Sequence, residues 1–335
     1  MMKHSLAILV FVAVVLLAGC RATGTGAVVD AYGNKDYMGA LQLSEERIRG
    51  GTANKVDRIL HAWSLFQLGY LDRAMEEFQQ ISRRDQSSFH GWLGQAWIMI
   101  KKGEYEQVPP LLDKAERWMG QWQRPMLYAA RGWLAFYQGD LERAEKFFDL
   151  TETSLYFEDA EYIPIPLPLM RTWKTLPWVG RGWVAVVRGD LAEAGRSFQQ
   201  GLEHDPSCHL CYAGLAEVAD QQGKTNEAIQ LATRGLSLTR HDRELTDKLN
   251  RLLWKKNAPE LSMKVYRELV DSSKGDPLYR ANLGYLHLYR GQFDKALDNF
   301  QLALRDEPGQ PLARRGLVEV RRALRGQGML RGEGN

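Results

Sequence analysis

The chain has 335 residues, 44% of them hydrophobic, with 44 Lys and Arg against 41 Asp and Glu for a net charge of +3. That length and apolar content can bury a large core. A charge so nearly balanced gives no footprint for nucleic acid, so none is expected as a partner.

The N-terminus reads MMKHSLAILVFVAVVLLAGC, with Lys3 and His4 ahead of an apolar run from Leu6 to Leu17. Such a run is short for a membrane span and fits a secretory signal. Leu17-Ala18-Gly19-Cys20 is similar to the lipobox of bacterial lipoproteins. The resemblance implies removal of residues 1–19 and lipidation of Cys20, which then anchors the protein without spanning the bilayer. Arg21 stands where an aspartate commonly marks inner-membrane retention in that family, which favours the outer membrane and its periplasmic face. Residues 20–30, with Gly24 and Gly26, read as a short flexible tether.

From there one pattern repeats: an apolar-periodic segment, a glycine, a few polar residues, and a second helical segment opened by a small residue. That small residue is Ala40, Ala74, Val108, Ala144, Ala194, Ala228, Ser262 and Ala296, at intervals of 34, 34, 36, 50, 34, 34 and 34 residues. In the first helix of the units a second small residue recurs at Ala62, Ala96, Gly132, Gly182, Ala216 and Gly284. Phe78, Leu112, Phe148, Phe198, Tyr266 and Phe300 lie four residues after the small residue of the second helix and can fill the space between units. Asp205-Pro206 and Glu307-Pro308 close two units, with proline placed to open the next helix. The unit at Asn257 lacks the turn glycine and carries Pro259, so it is a degenerate copy.

A two-helix unit of about 34 residues is the period of the tetratricopeptide repeat, and the chain resembles that family over nearly all of its length after Cys20. The resemblance implies an all-α, right-handed superhelix, an α-solenoid of about eight antiparallel helix pairs plus a C-terminal capping helix, spanning residues 31–326. Residues 327–335 read as a flexible tail. Two short motifs dissolve into this register. Arg188-Gly189-Asp190 is the tripeptide of an adhesion signal, but it falls on the turn between the helices of one unit. Gly223-Lys224-Thr225 lacks the glycine a phosphate loop needs five residues earlier, where Val218 stands.

In this family the inner face is lined mainly by the first helix of each unit, including the residue after the small one. Here that residue is Trp63, Trp97, Trp133 and Trp183, then Glu217, Arg251 and Tyr285. One turn on are Phe66, Ile100, Phe136 and Val186. The expected site is a groove formed by Trp63, Phe66, Trp97, Ile100, Trp133, Phe136, Trp183, Val186 and Tyr285, able to take an amphipathic helix, an extended segment or a stacked glycan. The competing reading is that these rings pack in the core. The interval of 50 between Ala144 and Ala194 marks an insertion around 153–174. Its Pro164, Pro166 and Pro168 forbid helix, and its alternating Ile163, Ile165, Leu167 and Leu169 make it apolar. It either covers the ladder or docks a partner.

No HExxH, GxSxG or phosphate loop is present, so a non-enzyme without cofactor, catalytic residue or metal is expected. Cys208 and Cys211 leave three readings: a structural disulfide or packed thiols, a redox pair, or part of a metal site with His209 that still wants a fourth ligand. The first is preferred. In the last helix, Arg314, Arg315, Arg321, Arg322 and Arg325 suit either a solvated cap or a patch for anionic lipid or peptidoglycan. Anchor and repeats together resemble pilotins of secretin and pilus systems and adaptors of peptidoglycan hydrolases. The expectation is an outer-membrane, lipid-anchored periplasmic scaffold that binds protein partners during assembly of an envelope complex. The alternatives are an exopolysaccharide-export component with a glycan-binding groove and a CxxC thiol oxidoreductase.

Overall fold

A computed structural model of the protein describes residues 24–155, 174–239 and 242–326, which hold seventeen α-helices, two short 3-10 turns and no strand. The lipobox with Cys20, most of the proline-rich insertion and the tail at 327–335 lie outside the described residues.

The helices come as eight consecutive pairs and a single last helix. The first five pairs are α1 (Thr25–Gly33) with α2 (Tyr37–Arg49), α3 (Lys55–Gln67) with α4 (Leu71–Arg84), α5 (Phe89–Lys102) with α6 (Val108–Glu116), α7 (Arg124–Tyr137) with α8 (Leu141–Thr153), and α9 (Leu176–Arg188) with α10 (Leu191–His204). Three more follow: α11 (His209–Gln221) with α12 (Thr225–Leu238), α13 (Arg243–Lys256) with α14 (Pro259–Ser272), and α15 (Pro277–Tyr289) with α16 (Phe293–Asp306). The last helix, α17, is Pro311–Gly326. The first pair starts at Thr25 rather than at residue 31, and Thr25 and Val28 are fully buried, so the expected tether is already helix there. No helix among the described residues is long and apolar enough to cross a membrane.

Why these residues pair is visible at the small positions. Phe148 is fully buried, and a Cβ added to Gly132 of its own pair would lie 2.6 Å from its ring, while one on Gly180 of the next pair would lie 2.4 Å away. Phe300 sits the same way between Gly284 at 2.7 Å and Gly316 of α17 at 2.3 Å. Those gaps are shorter than any carbon–carbon contact, so each ring occupies volume that two helices have vacated. Burying one such side chain is worth about 1.5–3 kcal/mol, which makes the phenylalanine the wedge that joins a pair to its successor.

The turns confirm the reading of the two short motifs. Gly189 adopts φ 80 and Gly223 φ 77, the left-handed region that a side chain disfavours. In the Arg188-Gly189-Asp190 turn, Arg188 pairs with Glu145 at 2.9 Å and the Asp190 carboxylate accepts from the Glu193 amide at 2.9 Å, capping α10. Where the degenerate unit lacks glycine, Asn257 takes the left-handed conformation at φ 48 and Pro259 opens α14.

The chain divides into two compact units between Cys211 and Tyr212, inside α11. In unit 1 one core cluster runs from Val28 through Trp63, Trp97 and Leu127 to Leu176, and a second gathers Ala135, Ala144, Phe148 and Val184. Within unit 2, one cluster runs from Ala216 to Leu283, and a second gathers Phe300, Ala313, Val320 and Leu324 around the last helix.

Candidate functional site

In unit 1 the aromatic ladder is largely core. Trp63 is 1% exposed, and Phe66, Trp97, Ile100 and Val186 are likewise buried, while Trp133, Phe136 and Trp183 are half-buried. The physical reason repeats from pair to pair. The ring after the small residue meets the wedge phenylalanine of its own pair edge to face: Trp63 on Phe78 at 4.9 Å and 70°, Trp133 on Phe148 at 5.6 Å and 70°, Trp183 on Phe198 at 5.8 Å and 76°. Such contacts add about 0.5–1.5 kcal/mol to the burial itself. The Trp63 indole N–H also donates to His90 Nδ1 at 3.4 Å. An open groove over Trp63, Phe66, Trp97, Ile100 and Val186 is therefore corrected: these residues hold the pairs together. In unit 2, Tyr285 repeats the contact on Phe300 at 5.2 Å and 74°, half-buried.

Burial sets the chemistry around this core. His90 and His209 are held neutral, each pushed down to about 3 by burial, and His61 to about 4 by the same cause, despite Glu45 nearby. The Ser44 hydroxyl lies 3.0 Å from His61 Nδ1. All three are buried, and they read as polar members of the packing.

Unit 1 exposes Trp118 and Tyr137 by about half, and more exposed rings occur in unit 2. Trp254 of α13 is 88% exposed and Tyr289 of α15 is 81% exposed. Trp254 lies four residues after Asn250, which stands where Ala62 and Ala96 stand in their units, so Trp254 shares the register of Phe66 and Ile100. Asn250 is no longer a small packing residue. It accepts from the Tyr266 hydroxyl at 2.7 Å and donates to Asn282 Oδ1 at 3.1 Å.

Charged groups lie on the same and neighbouring helices of unit 2. Lys248 is salt-bridged to Glu217, and Lys255 lies 2.8 Å from Asp220, so the carboxylates of α11 are neutralised. Arg251 is exposed on the same helix as Trp254. Tyr289 is tilted against Tyr285 with ring centres 6.1 Å apart, and the Tyr285 hydroxyl donates to Glu319 Oε1 at 3.3 Å. Burial, then the Glu319 charge, pushes the Tyr285 phenol up to about 12, so it stays a donor at neutral pH. On α17, Ala313, Val320 and Leu324 are buried, Gly316 seats Phe300, and Arg314, Arg315, Arg321, Arg322 and Arg325 are exposed. The helix caps unit 2 with its apolar face and shows its basic face to solvent. Unit 2 thus exposes π faces, guanidinium groups and a phenol donor, the chemistry of binding. Sequence reasoning passed over Trp254 and Tyr289, although the spacing from Asn250 places Trp254 on the first-helix face.

Cys208 and Cys211 form a disulfide, with sulfurs 2.10 Å apart across the start of α11. Both thiols are thereby committed to each other.

The sequence comparison agrees with this architecture. The family profile described as tetratricopeptide repeat matches residues 179–242, the stretch from α9 to the end of α12. No curated protein matches the chain. Among solved structures, the fold is similar to a chain of the APC/C hetero-tetramer Cut9–Hcn1, with TM-score 0.53 and 14% identity over 87% of this chain and 54% of that one. It is also similar to yeast Tom70, with TM-score 0.53 and 16% identity over 90% of this chain and 61% of that one. The chain thus spans only part of the length of either protein, and at such identities the likeness is one of fold. With eight helix pairs among the described residues, phenylalanine wedges against small residues at Phe78, Phe148, Phe198 and Phe300, and a tetratricopeptide-repeat match over residues 179–242, the fold is an all-α solenoid of the tetratricopeptide-repeat type.

Proposed function

We propose that the protein is a lipid-anchored scaffold on the periplasmic face of the bacterial outer membrane, which binds protein partners during assembly of an envelope complex. The observation that carries the binding reading is the pair Trp254 and Tyr289, 88% and 81% exposed in unit 2. Aromatic anchors framed by arginines dominate the energy of protein interfaces, and exposed apolar surface of this kind commonly marks an interaction site. The anchor rests on Leu17-Ala18-Gly19-Cys20, and pilus or secretion machinery and peptidoglycan enzymes are the complexes this combination suits. The insertion at 153–174 remains a candidate second docking element.

Two linked experiments test the reading. Cys20→Ala should abolish fatty-acid labelling and release the chain from outer-membrane fractions; unchanged labelling and fractionation would remove the anchor. A photoreactive phenylalanine placed at Trp254 should crosslink an envelope protein in whole cells, and the same group at exposed Leu150 serves as the control. Crosslinks equal at both sites would remove the binding surface. A glycan would stack on the same rings, and exopolysaccharide retained by the wild type but not by Trp254→Ala would move the assignment to polysaccharide export.

A further inference from the structure

The turn between α1 and α2 reaches, within unit 1, the turn that joins α10 to α11. Lys35 adopts φ 58 there, and its ammonium donates to the Ser207 hydroxyl at 2.9 Å and to the Ser207 carbonyl, and lies 3.3 Å from Asp205 Oδ2. The partners are 170 and 172 residues apart in sequence. Lys35 is only 9% exposed. Burial lowers its affinity for the proton, and the Asp205 carboxylate opposes that shift. A lysine this deeply buried, paired and hydrogen-bonded is a specific contact, since an unpaired buried ammonium would be strongly destabilising.

The seat for Lys35 is built by the residues leading into the disulfide. Asp205 Oδ1 accepts from the Ser207 amide at 2.9 Å and the Ser207 hydroxyl at 2.6 Å, and the Asp205 carbonyl accepts from the Cys208 amide at 2.9 Å. The Cys211 amide in turn donates to the Cys208 carbonyl at 3.1 Å. Cys211 Sγ fits against Gly201 of α10, where a Cβ would lie only 2.6 Å away. Just beyond, Leu210 packs on the core cluster that contains Trp63 and Trp97. The first turn of a helix has no intrahelical partners for its amides and frays readily. Here the disulfide clips that turn one residue after the Ser207 carbonyl.

We propose that unit 1 is held closed by a redox-set latch, in which Lys35 is seated on Asp205 and Ser207 and the Cys208–Cys211 disulfide keeps that seat in shape. A dithiol reductant opens it. Its thiolate attacks one sulfur and breaks the Cys208–Cys211 bond, and its second thiol resolves the mixed disulfide. Two electrons and two protons end on Cys208 and Cys211 as thiols, and the reductant leaves as a disulfide. With the clip cut, the start of α11 frays, Lys35 loses its acceptors, and the apolar surface under Leu210 becomes accessible. The latch is independent of the anchor and of the Trp254 surface.

Hydrogen exchange on the full chain tests this, oxidised and after dithiothreitol. The Lys35 and Asp36 amides donate to Tyr32 and Ala31 carbonyls, so their exchange reports on the seated turn. Reduction should speed exchange at 33–37 and at 205–212 by about tenfold or more, while Met263–Leu269 in unit 2 stays unchanged. Cys208→Ser with Cys211→Ser should show the fast rates without reductant. Lys35→Met, or Asp205→Asn as a second variant, should show the fast rate at 33–37 when oxidised, with no further change there on reduction. If reduction accelerates 205–212 alone and leaves 33–37 protected, or if both latch variants keep oxidised protection at both turns, the proposal is overturned.

Discussion

Trp63 and Trp254 both lie on the first helix of a repeat, yet one is 1% and the other 88% exposed. Trp63 follows Ala62 and meets Phe78 edge to face, so its ring is claimed by its own pair. Trp254 belongs to a unit in which Asn250 replaces the small residue and the wedge position is Tyr266, tied to Asn250 by a hydrogen bond. The contrast is local: Trp63, directly after a small residue and against its wedge phenylalanine, is buried, whereas Trp254, in the register of Phe66, is exposed in a unit whose small residue is replaced by Asn250.

The largest expected effect breaks the comparison from the core side. Trp63→Ala should cost about 3–5 kcal/mol, because it removes a buried ring, its contact with Phe78 and the donor to His90. Urea unfolding that shows a loss below about 1 kcal/mol would mean the ladder is loosely packed after all.

Acid sharpens the same comparison. Burial holds His90 and His209 down to about 3, with Lys55 adding to it at His90, and with Lys35 and Lys101 adding and Asp205 opposing at His209. In the unfolded chain each takes a proton near its ordinary value of about 6.5, so the folded form binds fewer protons in between. Stability is therefore full above about pH 6.5 and falls as pH drops toward 3, by about 2 kcal/mol per histidine at pH 5. Denaturation midpoints at pH 7.5 and pH 5 check the slope, and His90→Gln should make it shallower. A slope unaltered by that variant would show that His90 titrates normally in the folded protein.

Much of the fold was legible because the repeat signal is local. The register from Ala40 to Ala296 placed the second helix of each pair, and the Arg188-Gly189-Asp190 turn followed from it, since a left-handed glycine and a capping aspartate act within a few residues. The candidate site was less legible. Periodicity placed Trp63 on the first-helix face but carried no information on whether the ring points at Phe78 or at solvent. Lys35 and Asp205 meet across 170 residues, and no spacing rule connects them. Trp254 sits in the charged helix RELTDKLNRLLWKK, whose broken small position hid its equivalence to Phe66. The early start of α1 was masked by Gly24 and Gly26, which read as tether although Gly26 is buried in helix.

The measurement closest to the central claim compares Trp254→Ala/Tyr289→Ala with the wild type in two readouts, melting temperature and affinity for the protein crosslinked at Trp254. The account predicts a stability change within about 0.5 kcal/mol, as for other surface substitutions, and a loss of about 2 kcal/mol or more per anchor, roughly thirtyfold in affinity each. A double variant that binds as the wild type does, or one that loses binding only because it has lost several kcal/mol of stability, would contradict it.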